Sequence, residues 1–87
     1  NLNTLKYQFT TQAYKQLEKL EVEIQKRIIL KIKFFTSQPY PLSYAETLCN
    51  SPYGTHRFRI GSYRVIFVVE SDIINIIRIR KRESVYK

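Results

Sequence analysis

The stretch Thr55-His56-Arg57-Phe58-Arg59-Ile60-Gly61-Ser62-Tyr63-Arg64-Val65-Ile66-Phe67-Val68-Val69 leaves this chain few ways to fold. Arginine alternates with Phe58 and Ile60 before Gly61-Ser62, and a nearly continuous apolar run follows. That spacing predicts two strands folded back on each other, the first with one buried face and the second buried on both. A third run, Ile73–Arg80, follows the turn residues Glu70-Ser71-Asp72 and predicts another antiparallel neighbour.

The residues upstream must cover the apolar side of these strands. Leu5, Tyr7 and Phe9 alternate with Lys6 and Gln8, the period of a half-buried strand. Thr10 or Thr11 can cap a short helix in which Ala13, Leu17 and Leu20 recur at helical spacing. A longer helix is predicted over Val22–Phe35, with Ile24, Ile28, Ile32 and Phe35 as its buried stripe and Glu23 and Arg27 as an exposed i, i+4 pair. Ile29 and Leu30 fall off that stripe, where they either widen the buried face or meet a partner. Thr36 to Pro52 holds all three prolines and reads as a long loop pinned by Tyr44 and Leu48. The expected architecture is α+β, in the order βααβββ: a helical hairpin on one face of a mainly antiparallel four-stranded sheet, forming one domain over residues 1–87.

Charge separates the two halves of the chain. The net charge of +8 favours an anionic partner. Six of the eight lysines precede residue 50, whereas six of the seven arginines follow residue 55. Lysine is the common solvated charge of helix surfaces; the planar fork of arginine suits phosphate. Arg57 and Arg59 share one strand face, and Arg78, Arg80 and Arg82 share another, in phase with Ile74 and Ile76 under strict alternation. Placing both rows away from the helices yields a concave basic platform, next to Lys81. Arg64 stands in phase with Ile66 and Val68, where a central strand prefers an apolar residue. Its charge is offset by a carboxylate such as Glu70, Asp72 or Glu83, by snorkelling of the side chain to the surface, or by a phosphate. Only three carboxylates follow residue 55 against eight lysines and arginines, so internal pairing cannot neutralise the set.

Tyr86 either covers the sheet edge or, among cations, serves as a base or a stacking platform for a nucleobase. His56 lies in phase with Phe58, the placement of a packing histidine rather than a catalytic one. Cys49 is the single cysteine, so no disulfide forms within the chain, and it reads as a small apolar filler. No apolar run approaches the roughly 18 residues of a membrane span, and Asn1-Leu2-Asn3-Thr4 has no signal-peptide character, which together point to the cytoplasm and away from membranes. Metal-ligand spacings, phosphate-binding glycine loops and nucleophilic triads are absent from the sequence. Arg, Lys and Tyr without a metal or small-molecule cofactor suffice for RNA, because the attacking group is the substrate's own 2′-OH.

The element order, Gly61-Ser62-Tyr63-Arg64-Val65-Ile66-Phe67 and the ending Ile77-Arg78-Ile79-Arg80-Lys81-Arg82-Glu83-Ser84-Val85-Tyr86 resemble the RelE toxins of bacterial toxin–antitoxin pairs. The resemblance implies a ribosome-dependent endoribonuclease that cuts mRNA and is silenced by an acidic or amphipathic antitoxin. It implies catalytic roles for Arg64, Arg82 and Tyr86: Tyr86 as base or stacking group, and Arg64 and Arg82 on the phosphate. Arg57 and Arg59 would then position the RNA backbone, with Arg78, Arg80 and Lys81 completing the RNA-binding surface. Arginines stand at 57 and 59 where the best-known members carry lysines, which favours charge stabilisation over proton transfer. The ParE toxins share this fold but inhibit DNA gyrase without cutting RNA; they generally lack the Arg82 and Tyr86 combination.

Overall fold

A computed structural model describes residues 6–47 and 56–81 of the chain. Strand β1 (Lys6–Phe9) leads into helices α1 (Thr11–Glu18) and α2 (Val22–Ser37). A 3₁₀ turn (Pro41–Tyr44) and strand β2 (Glu46–Thr47) follow, then β3 (His56–Ile60), β4 (Tyr63–Glu70) and β5 (Ile73–Lys81). The sheet order is β1-β5-β4-β3-β2, with β1 parallel to β5 and every other pairing antiparallel.

The helices start and stop for local reasons. Thr10 Oγ1 accepts from the Ala13 amide at 3.1 Å, capping α1. Gln25 Nε2 donates to the Leu20 carbonyl at 2.7 Å, satisfying the chain reversal between the helices. Thr36 and Ser37 donate their hydroxyls to the Ile32 and Phe34 carbonyls, and α2 runs two residues past Phe35. The predicted stripe forms as expected: Ala13 and Leu17 on α1, and Ile28, Ile32 and Phe35 on α2, are buried. They meet Phe58, Ile60, Val65, Phe67, Ile74, Ile76 and Ile79 from the sheet in one core.

Four features depart from the sequence expectation. The sheet has a fifth strand, β2, because Glu46 and Thr47 pair with Arg57 and His56 at the β3 edge. Two residues are too few to leave a periodic signal. The second departure is the phase of β5: its register places Arg78 opposite Ile66 but Ile76 opposite Phe67, so Ile77 is an extra residue, a β-bulge. Ile74 and Ile76 therefore face the helices, Ile79 rejoins them in the core, and Arg78 and Arg80 fall on the opposite face with Arg64 and Ile66. Strict alternation had grouped Ile74 and Ile76 with the arginines. Third, no Glu23–Arg27 ion pair forms among the described residues; Arg27 instead lies over the Gly61 turn, its Nη1 3.2 Å from where a Cβ at Gly61 would sit. Fourth, Gln16, which helical spacing sets on the water-facing side of α1, turns to the sheet: its Oε1 accepts from the Ile79 amide at 2.7 Å, so α1 satisfies the β5 edge beyond the end of β1. Tyr44 stacks on Phe35 with centroids 5.1 Å apart, as its pinning role requires, while Leu48 lies outside the described residues.

The two hairpin turns differ in strain. Gly61 has φ +59 and suits its turn. Ser71 and Asp72 have φ 51 and 64, the left-handed pair of a type I′ turn that favours Asn-Gly. Replacing Asp72 by Gly is expected to stabilise the fold by ~1 kcal/mol, since relief of left-handed strain exceeds the added entropy of the unfolded chain. Urea denaturation checks this; a lowered midpoint would contradict it.

Candidate nucleic-acid interface

The sheet face away from the helices carries the arginines, and the strand registers set them in rungs. Arg59 pairs with Arg64, and Arg64 with Arg80, so three arginines cross β3, β4 and β5 in one line. The next rung runs Glu46, Arg57, Ile66, Arg78. Both rungs lie toward the Gly61 end, because Ile60 pairs with Tyr63 at the last step before the turn. Like charges directly opposite one another destabilise a sheet, so folding alone does not account for the first rung. Val65 and Phe67, buried on the other face of β4, hold Arg64 in this orientation.

Arg57, Arg64, Ile66, Arg80 and Lys81 line a hollow of about 100 Å³ on this face. Such a hollow, ringed by guanidinium and ammonium groups, matches a phosphate in size and in charge. Arg64 is half-buried and forms no ion pair with Glu70 or Asp72. Glu83, the third carboxylate considered for it, lies outside the described residues, as do Arg82 and Tyr86.

Glu46 is the residue that sequence reasoning missed. Its Oε1 accepts from Arg57 Nε at 2.6 Å and from Arg59 Nε at 3.1 Å. The hydrogen bond from Arg57, with the charges of Arg57 and Arg59, holds the carboxyl below its ordinary value of 4.5 despite a partial opposing effect of desolvation. The available signal was that Glu46 is the only carboxylate between Glu23 and Glu70. His56 stacks on Phe67 with centroids 5.5 Å apart and planes 12° from parallel, on the helix side and away from the arginines. Its placement agrees with a packing histidine. Gln8 Nε2 donates to Asn75 Oδ1 across β1 and β5, which explains the polar Asn75 among isoleucines. No helix among the described residues is long and apolar enough to cross a membrane.

Comparison with known proteins places this geometry. The family model for the ParE toxin of the type II toxin–antitoxin system parDE matches residues 7–86. No curated protein matches the chain in sequence. Among solved structures, the toxin–antitoxin complex RelBE2 from Mycobacterium tuberculosis superposes with a TM-score of 0.74 at 25% identity, covering 91% of this chain and 99% of that chain. The isolated E. coli RelE toxin gives a TM-score of 0.73 at 17% identity, over 95% of this chain and 89% of that chain. The archaeal RelE–RelB complex from Pyrococcus horikoshii gives 0.71 at 24% identity, over 91% and 96%. The chain therefore belongs to the ParE toxin family and is a toxin of a type II toxin–antitoxin system with the RelE/ParE fold.

Proposed function

We propose that this chain, read as one toxin domain over residues 1–87, is a metal-independent endoribonuclease that cleaves mRNA on the ribosome. The observation that carries the reading is the Arg59–Arg64–Arg80 rung beside a hollow of phosphate size. In the reaction the 2′-hydroxyl loses its proton and its oxygen attacks the adjacent phosphorus, the bond to the 5′-oxygen breaks and that oxygen takes up a proton from solvent, and a 2′,3′-cyclic phosphate and a 5′-hydroxyl result. Charge accumulates on the non-bridging oxygens, where forked donors act most strongly in the transition state. Arg64 and Arg82 serve the phosphate, Tyr86 removes the 2′-proton or stacks on a base, and Arg57 and Arg59 hold the flanking backbone. Arg78, Arg80 and Lys81 extend the basic track for the RNA backbone.

A second reading, gyrase inhibition without RNA cleavage, is favoured by one observation: the matching family model is described by its ParE members. Induced expression in a bacterium distinguishes the two. Cleaved transcripts with normally supercoiled plasmid support the nuclease; relaxed plasmid with intact transcripts supports the gyrase inhibitor.

The cognate antitoxin is the expected protein partner, since similar solved structures are toxin–antitoxin complexes. On α2, Leu30 and Phe34 are 65% and 48% exposed, and hollows of about 380 and 450 Å³ flank Leu30. Lys26, Arg27, Lys31 and Lys33 lie along the same helix, which has no carboxylate after Glu23. An acidic amphipathic segment of the antitoxin matches that pattern. Leu30→Glu is expected to weaken antitoxin binding by about tenfold or more while leaving toxicity intact, measured by titration of the purified pair. Unchanged affinity would place the antitoxin elsewhere.

A further inference from the structure

Glu46 holds two arginines of the proposed site without closing them. Its Oε1 takes the Nε donors of both Arg57 and Arg59, and neither guanidinium makes a further hydrogen bond to the side chains of the described residues, so we take their Nη groups as the outward donors. A guanidinium can bind an oxyanion through its Nη pair as well as through its Nε edge. A carboxylate at Nε therefore leaves each Nη pair to a second anion.

The tether matters differently for the two side chains. Arg57 is 21% exposed and lines the hollow, whereas Arg59 is 51% exposed and has little packing to order it. Arginine loses much rotamer freedom when it is fixed, and fixing it before binding lowers the cost of binding. Glu46 also relieves repulsion between two cations two residues apart on the same strand face.

We infer that Glu46 is a positioning residue, presenting Arg57 and Arg59 with their outer donors aimed at successive phosphates of single-stranded RNA. The inference rests on the RNA reading above and adds a residue to it. It opposes the simplest electrostatic expectation. Removing a carboxylate raises the net charge from +8 to +9, which by itself strengthens binding to a polyanion.

The test is the binding of a non-cleavable single-stranded 2′-O-methyl RNA by the full chain, with Glu46→Ala and Glu46→Gln, over a salt series. Each phosphate contact adds about 0.7 to the slope of log K against log salt. Glu46→Ala is expected to lose roughly three- to tenfold in affinity at low salt, with the slope smaller by about 0.7 to 1.4, one or two contacts. Glu46→Gln, which keeps an acceptor but not the charge, should fall between Ala and wild type. Should the alanine variant not fold, the glutamine variant decides. Equal or tighter binding with an unchanged slope overturns the inference and leaves the RNA reading standing. A wild-type chain that does not bind the oligonucleotide also overturns the inference, while the RNA reading itself falls only if induced cells keep their transcripts intact.

Discussion

Arg64→Ala is expected to lower transcript cleavage by about 10²–10³-fold, the usual cost of removing one preorganised charge-stabilising donor, while leaving the melting temperature at or above that of the wild type. The two halves of this expectation have separate origins. Arg64 lines the hollow with Arg57, Ile66, Arg80 and Lys81, where a transferring phosphate would sit. It stands directly opposite Arg59 on one side and Arg80 on the other, and neither Glu70 nor Asp72 offsets it. Removing a cation from between two cations relieves repulsion, and no ion pair among the described residues is lost with it. Arg64→Lys keeps the charge but not the fork and should recover only part of the activity. An alanine variant that unfolds, or one that stays fully toxic, would contradict the assignment.

Phe58→Ala should have the opposite profile and the largest effect on stability, about 3–5 kcal/mol. Phe58 is fully buried and sits between Phe35 of α2 and Phe67 of β4, with ring centroids 4.6 Å away on both sides. These three rings tie the helical layer to the centre of the sheet. A small domain has only about 5–15 kcal/mol in total, so much of the fold's margin would be lost. Because Phe58 fixes the phase of β3, its loss also frees Arg57 and Arg59 from their face. Thermal unfolding should show a fall of more than about 12 °C; a fall of only a few degrees would mean that the core repacks around the gap. Phe58→Leu should be markedly milder.

These two residues also mark how much could be read before the structure was known. Phe58 belongs to an alternation of buried and exposed residues that runs through β3, and such periodicity survives in sequence because burial imposes it at every second position. The helical stripes of Ile28, Ile32 and Phe35 were legible for the same reason. Arg64 stood out as a charge in an apolar run, and among the described residues no carboxylate pairs with it. The phase of β5 was not legible under strict alternation, because one bulge at Ile77 reverses every later side chain. In hindsight the bulge resolves two conflicts at once, moving Ile79 into the core and Arg78 out of it. Glu46 was missed for a different reason: its role depends on pairing with Arg57, eleven positions along the chain, and two residues carry no period. Arg82 and Tyr86 rest on the family resemblance and on the wider basic surface, not on a described position.

The central claim, that the arginine face serves RNA cleavage, is tested most directly by mapping transcript 5′ ends after induction of the wild-type chain and of Arg64→Ala in a bacterium. The account predicts new ends inside reading frames at a regular position within codons, lost when translation initiation is blocked and lost with Arg64→Ala. Growth arrest with intact transcripts and relaxed plasmid DNA would contradict it and assign the arginine face to gyrase instead.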